Sequence, residues 1–327
     1  YTSCHYEQEG GKVLMREKVN GFVGVMAVAI LCMVSGLCMV WGIAPVVLAV
    51  YVAACAVCGR YMITCIGCAA GVAAGSMGIA GLLHADEYMI PGPVYSGVMV
   101  TEKYLVLLGL AMCLMKIVYS RNSRSYVRVI VVMSAAVLMG NIVVYADNML
   151  MAAAYGVVEA AIFMCASVIL KPGIGLLYTY ICGDASDVER DESWNVSQGI
   201  VSLMALAAVV LWVVPGEDIY SVNPAFMLAL VLILYAVYRT GAVYGCGMAA
   251  VAGSIVSVKL NDSRWLMWML LVTLVMLIGR ALTGRRKVSA SLFYVLGCVL
   301  ASVADGTVLW NGSGREIAFY YINIAVP

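Results

Sequence analysis

One carboxylate in this chain stands where carboxylates are costly. Glu159 lies ten residues after Met149 and twelve before Lys171, with no other charge between them. That spacing puts it near the centre of a membrane-length apolar run. A charge at that depth is buried against a partner, held protonated, or used to move ions. Asn141, on the preceding apolar run, and Tyr155, one helical turn before Glu159, are the candidate partners. Burial in a low dielectric disfavours the charged form, so a neutral, hydrogen-bonded side chain facing other helices is expected.

Other spacings suggest chemistry and then lose the argument. Cys55/Cys58 and Cys65/Cys68 have the spacing of two metal knuckles. Only six residues separate the pairs, whereas zinc sites of this type use a longer connecting loop. All twelve cysteines except Cys4 and Cys182 lie in or at the ends of apolar runs, where they act as small, soft hydrophobes. Asp184, Asp187, Glu189, Asp191 and Glu192 form the densest acidic stretch, but oxygen ligands on a loop leave Mg²⁺ or Mn²⁺ largely hydrated. The only histidines are His5 and His84, and neither a Gly-Lys-Ser/Thr phosphate loop nor His-Glu-x-x-His occurs. No catalytic, cofactor or metal residue is assigned, and no cofactor is expected.

The elements that carry these residues follow from composition. Hydrophobic residues make up 64% of the 327 positions and charged residues 11%, far from the soluble average of about half apolar and a quarter charged. A net charge of +1 gives no reason to expect a nucleic-acid partner. The partner expected from composition is the lipid bilayer. A spanning helix needs about 20 mostly apolar residues. Uncharged runs predict eleven: Gly21–Val40, Ile43–Gly59, Tyr61–Leu83, Tyr104–Ser120, Val129–Ala146, Met149–Leu170, Gln198–Val214, Ile219–Tyr238, Gly241–Val258, Trp265–Gly279 and Val288–Ala304. The apolar tail from Ile317 would begin a twelfth. The expected fold is all-α, a polytopic integral membrane bundle of about 10–12 helices. Residues 1–19 form a short N-terminal segment and 20–327 a multi-span domain, with longer loops at 84–103 and 171–197. The chain begins at Tyr1 rather than Met, which reads as a fragment or a processed form.

Orientation follows the lysine and arginine bias of the loops. With the N-terminus in the cytoplasm, 15 basic residues fall at inner ends and 4, Lys103, Lys259, Arg264 and Arg315, at outer ends. Loop 84–103 is then outside and loop 171–197 cytoplasmic. The clusters Arg121, Arg124, Arg128 and Arg285, Arg286, Lys287 are inner basic loops. As topology signals they need no further role, although anionic headgroups or an acidic partner would suit them. Gly67, Gly71 and Gly75 recur every fourth residue, as do Gly241, Gly245, Ala249 and Gly253. Such stripes let helices approach closely, either as static packing or as a moving interface.

From the sixth span onward the chain resembles the membrane region of stage II sporulation protein E, a Firmicute family. The resemblance rests on Val158-Glu159-Ala160 before a charged loop, and on Gly241 through Gly245-Cys246 opening a glycine-rich span with Ala252-Gly253. It continues through Gly279-Arg280-Ala281-Leu282, Gly284-Arg285-Arg286-Lys287 and a final span into Asp305-Gly306. The resemblance implies a domain in the bacterial cytoplasmic membrane that places a PPM-type serine/threonine phosphatase at the sporulation septum. Its implied partners are the tubulin-like cell-division protein and further copies of itself. The family's phosphatase domain has no counterpart within these residues. The alternative expectation is a secondary transporter in which Glu159 carries a proton.

Overall fold

The computed structural model describes residues 22–37, 45–76, 97–118, 123–146, 148–182, 196–214, 223–284 and 287–305. Among these residues there are eleven helices and no strand. They are α1 (Phe22–Leu37), α2 (Pro45–Cys58), α3 (Tyr61–Ser76), α4 (Gly97–Ile117), α5 (Ser123–Val144), α6 (Met149–Cys182), α7 (Val196–Val213), α8 (Pro224–Arg239), α9 (Ala242–Lys259), α10 (Arg264–Thr283) and α11 (Lys287–Asp305). Each overlaps one of the eleven apolar runs. Four stretches, Ser125–Val144, Met149–Ile181, Ala242–Lys259 and Arg264–Thr283, are helical, long and apolar enough to cross a membrane. The protein is an all-α helical bundle with the marks of an integral membrane protein. Large apolar side chains such as Val106, Ile117 and Leu150 are mostly exposed, as lipid-facing residues are.

The chain forms two compact units, Tyr1–Leu206 and Ala207–Pro327. In the first, α2 is the central helix. Every residue from Val47 to Cys55 is fully buried, and a helix that is apolar all round is a core helix. Pro45 opens α2 with its φ already helical. Gly59 closes it in the left-handed region at φ +64, its N–H returning to Cys55 O at 3.0 Å. That cap turns the chain into α3 within two residues. The hairpin is tied by Tyr51 Oη donating to Tyr61 O at 3.3 Å and by a 3.2 Å Cys55–Thr64 side-chain contact. α2 packs against α3, α4 and α6, and α5 joins α4 to α6.

The sixth helix runs on past the expected end. Counting uncharged residues stopped the span at Leu170, with Lys171 opening a loop. α6 instead continues through Lys171 and Pro172 to Cys182, 34 residues in all. An interior proline removes one i→i−4 hydrogen bond and presses on the carbonyl four residues back. Here the disturbed backbone is held from outside: Gly173 N–H donates to Ser202 Oγ of α7 at 2.6 Å. Only glycine fits there, because a Cβ on residue 173 would run into Ser202 itself.

In the second unit α8, α9, α10 and α11 pack in succession, and α10 also reaches α8. Asn223 caps α8 by accepting from Phe226 N–H at 2.9 Å, with Pro224 at the first helical position. Both choices are the favoured ones for a helix start. Phe226, Trp265 and Trp268 form an aromatic cluster, with centroids 4.9 to 6.3 Å apart. At the other end of the unit Arg280 donates to Val237 O, the carbonyl near the end of α8. Gly241, at φ +111, makes the turn between α8 and α9.

Candidate intramembrane polar site

Glu159 is fully buried on α6, and each of its oxygens is occupied. Lys103 Nζ of α4 lies 2.8 Å from Oε2. Asn141 Nδ2 of α5 also donates to Oε2, and Tyr104 Oη of α4 donates to Oε1. The network closes on itself. Lys103 Nζ also donates to Asn141 Oδ1 at 3.3 Å, and Asn141 Nδ2 donates to Val137 O at 3.0 Å. The ammonium stands 4.6 Å from the centre of the Tyr104 ring. Lys103, Tyr104 and Asn141 are buried with the carboxylate. Three helices thus meet at one charged point with no net charge.

Local sequence makes the meeting possible. Lys103 and Tyr104 are successive residues on α4, so one helical position supplies the cation and the next a phenol. Gly140 clears the path of the lysine: a Cβ there would stand 3.3 Å from Lys103 Cγ. Gly156, one turn before Glu159, brings α6 close to α5, its missing Cβ 3.5 Å from that of Asn141. A Cβ at residue 140 would press on Lys103, whereas one at 156 would only touch Asn141 and Leu138.

Of the residues proposed from sequence, Asn141 lies against Glu159. Tyr155 does not; it stacks on Tyr145 with centroids 5.2 Å apart and planes 16° apart. Lys103 and Tyr104 were outside the sequence reading of the site. Counting uncharged runs sets Lys103 at an outer span end, because a run defined by the absence of charge must stop before any charge. α4 begins at Gly97, and Lys103 is 8% exposed inside it. It is therefore not a loop residue, and the outer ends lose one of their four cations. The signal available was a single lysine followed immediately by an aromatic at the edge of a long apolar run.

The glycine stripes are close-packed, each against identifiable backbone. A Cβ on Gly67 would stand 2.7 Å from Ala29 O of α1, and one on Gly71 would land on Met33 O. Gly36 of α1 meets Gly71 in return, with a Cβ there 2.7 Å from Gly71 C. Gly75 lies on α3, but its surroundings are outside the described residues. The second stripe is divided between two neighbours. Gly245 lies against Val237 of α8, and Gly253 against Leu266 of α10, while Gly241 serves as the turn. A single sliding face along α9 does not fit that division.

The knuckle-like cysteines lie in α2 and α3. Nine cysteines, Cys55, Cys58, Cys65 and Cys68 among them, are in no disulfide, and among the described residues no three His, Cys, Asp or Glu side chains are placed to hold a metal. The acidic stretch 184–192, Arg121, Arg285 and Arg286 are outside the described residues. Arg124 and Lys287 lie in helices, in the first turns of α5 and α11, and Arg128 is exposed on α5. Comparison with protein-family models, with curated proteins and with solved structures finds no match to this chain.

Proposed function

We propose that this chain is a membrane-anchoring and localisation domain of the kind it resembles, placing a serine/threonine phosphatase at the division septum of a sporulating bacterium. The observation that supports this reading is the closure of the Glu159 network. Every oxygen of the carboxylate is met by a side chain from another helix, which suits a lock that holds helices in register. The glycine stripes, pressed against neighbouring backbones, agree with static packing. In this reading the chain does no chemistry itself. It lies in the cytoplasmic membrane with its N-terminus inside and associates with the tubulin-like division protein and with further copies of itself. A fluorescent fusion in a sporulating Firmicute tests it. Signal concentrated at the asymmetric septum is expected; an even distribution around the cell membrane would overturn the proposal.

One observation favours a second reading. A buried ion pair whose carboxylate lies on a helix long and apolar enough to span is the kind of group that moves protons in secondary transporters. A transporter would show proton-coupled uptake in liposomes that vanishes in Glu159→Gln while the protein remains folded. Septal localisation without such uptake separates the anchor from the transporter.

A further inference from the structure

We propose that the end of the second unit where α8 and α10 finish and α11 begins is a binding site for the headgroup of an anionic phospholipid. Arg239 is the last residue of α8, Arg280 lies in the last turn of α10, and Lys287 is the first residue of α11. Arg285 and Arg286 join Gly284 to Lys287 in sequence. No acid occurs between Ile219 and Asn261 or between Trp265 and Ala304. Arg239 and Arg280 therefore share this end with the first residue of α11, and the sequence of these segments holds no acid. The backbone adds little to the field. Two helix C-termini (α8, α10) and two N-termini (α9, α11) meet here, so their opposed end charges offset one another, and the side chains set the sign.

A basic loop that only fixed topology would need no built seat, and Arg280 has one. Its guanidinium is held by Val237 O and lies beside Gly241, where a Cβ would stand 3.5 Å from both Nη atoms. At φ +111 any larger residue at 241 would be strained, so glycine keeps this turn against the guanidinium. The planar fork of arginine matches the oxygens of a phosphate. The apolar surroundings select a lipid over an acidic protein segment. Val243, in the first turn of α9, is 80% exposed, and Leu282, in the last turn of α10, is 75% exposed. Charge for a headgroup and uncovered apolar surface for acyl chains thus lie within a turn or two of each other, at the end of a helix long enough to span.

The test is native mass spectrometry of the whole chain in detergent, comparing retention of dioleoyl phosphatidylglycerol with dioleoyl phosphatidylcholine. The anionic lipid should be retained in preference. Neutralising a basic residue at a membrane surface weakens anionic-lipid binding by about fivefold, so Arg239→Gln with Lys287→Gln should cost on the order of 25-fold. Lys116→Gln with Arg128→Gln removes the same charge from the first unit and should change retention far less. Arg280→Lys keeps the charge but loses the fork, and should weaken retention even in folded protein. Equal retention of the two lipids, or equal loss from the two double variants, would refute the site. So would displacement of the lipid by millimolar inorganic phosphate, which would mark a soluble anion as the ligand.

Discussion

Removing one half of the Lys103–Glu159 pair should cost far more than removing both. The two side chains are 4% and 0% exposed, so a partner left alone cannot reach water. It must stay charged in a low dielectric or change protonation. Breaking a buried pair by removing one partner typically costs roughly 3–5 kcal/mol, because the other charge is left buried and unpaired. Lys103→Met and Glu159→Leu should each fall in that range. The double variant leaves only neutral polar groups to re-pair, at about 1–3 kcal/mol. The coupling in a double-mutant cycle should then exceed about 3 kcal/mol, well above the ~0.6 kcal/mol average for interhelical hydrogen bonds in a membrane protein. Unfolding in mixed micelles, followed by tryptophan fluorescence, measures it. Additive single variants, with coupling below about 1 kcal/mol, would refute the pairing.

Three further outcomes follow from named contacts. Gly71→Val should destabilise the α1–α3 crossing by roughly 1–3 kcal/mol, as overpacking does, because residue 71 meets Met33 O directly. Gly109→Ala, with nothing within 4 Å of its Cβ, should be neutral or stabilising by up to about 1 kcal/mol; the same micelle assay ranks the two. Ser202→Ala should cost about 1–3 kcal/mol by leaving Gly173 N–H without its acceptor, and hydrogen exchange at Gly173 should rise against its neighbours. In a background stripped of native thiols, a cysteine at residue 86 should react with an impermeant maleimide on intact cells and one at residue 286 should not; the reverse would invert the orientation.

The helices were legible because lipid-length apolar runs carry a strong signal, and each of the eleven runs overlaps a helix. What misled was the treatment of charge as punctuation. Lys103 ended one run and Lys171 another, yet both lie within helices. In the first case the lysine is neutralised by a carboxylate 56 residues away in sequence, a partner no local window contains. In the second, the helix runs on through Pro172 while Ser202, on the next helix, accepts from the Gly173 N–H. Asn141 was within reach of sequence reasoning, since a lone amide in an apolar helix needs a partner. Tyr155 looked equally good at one turn from Glu159, but its ring finds more surface against Tyr145. The glycine spacing announced close approach without saying to what, and only the packing divides the second stripe between two neighbours.

The proline in α6 has a mechanical consequence. From Met149 to Lys171 the helix is about 35 Å long at 1.5 Å per residue, close to the ~30 Å of a bilayer's hydrocarbon core. From Pro172 to Cys182 it runs roughly another 16 Å, beyond what the bilayer can hold if the first part crosses it upright. That last third projects past Pro172 and is tied to α7 through the Ser202 hydroxyl. On an arm of that length each 4° of bending at Pro172 carries Cys182 through roughly 1 Å. The arm is laid along α7 by that hydrogen bond and by Leu176 against Gly199, so a shift of α7 becomes a change of direction at the arm's tip.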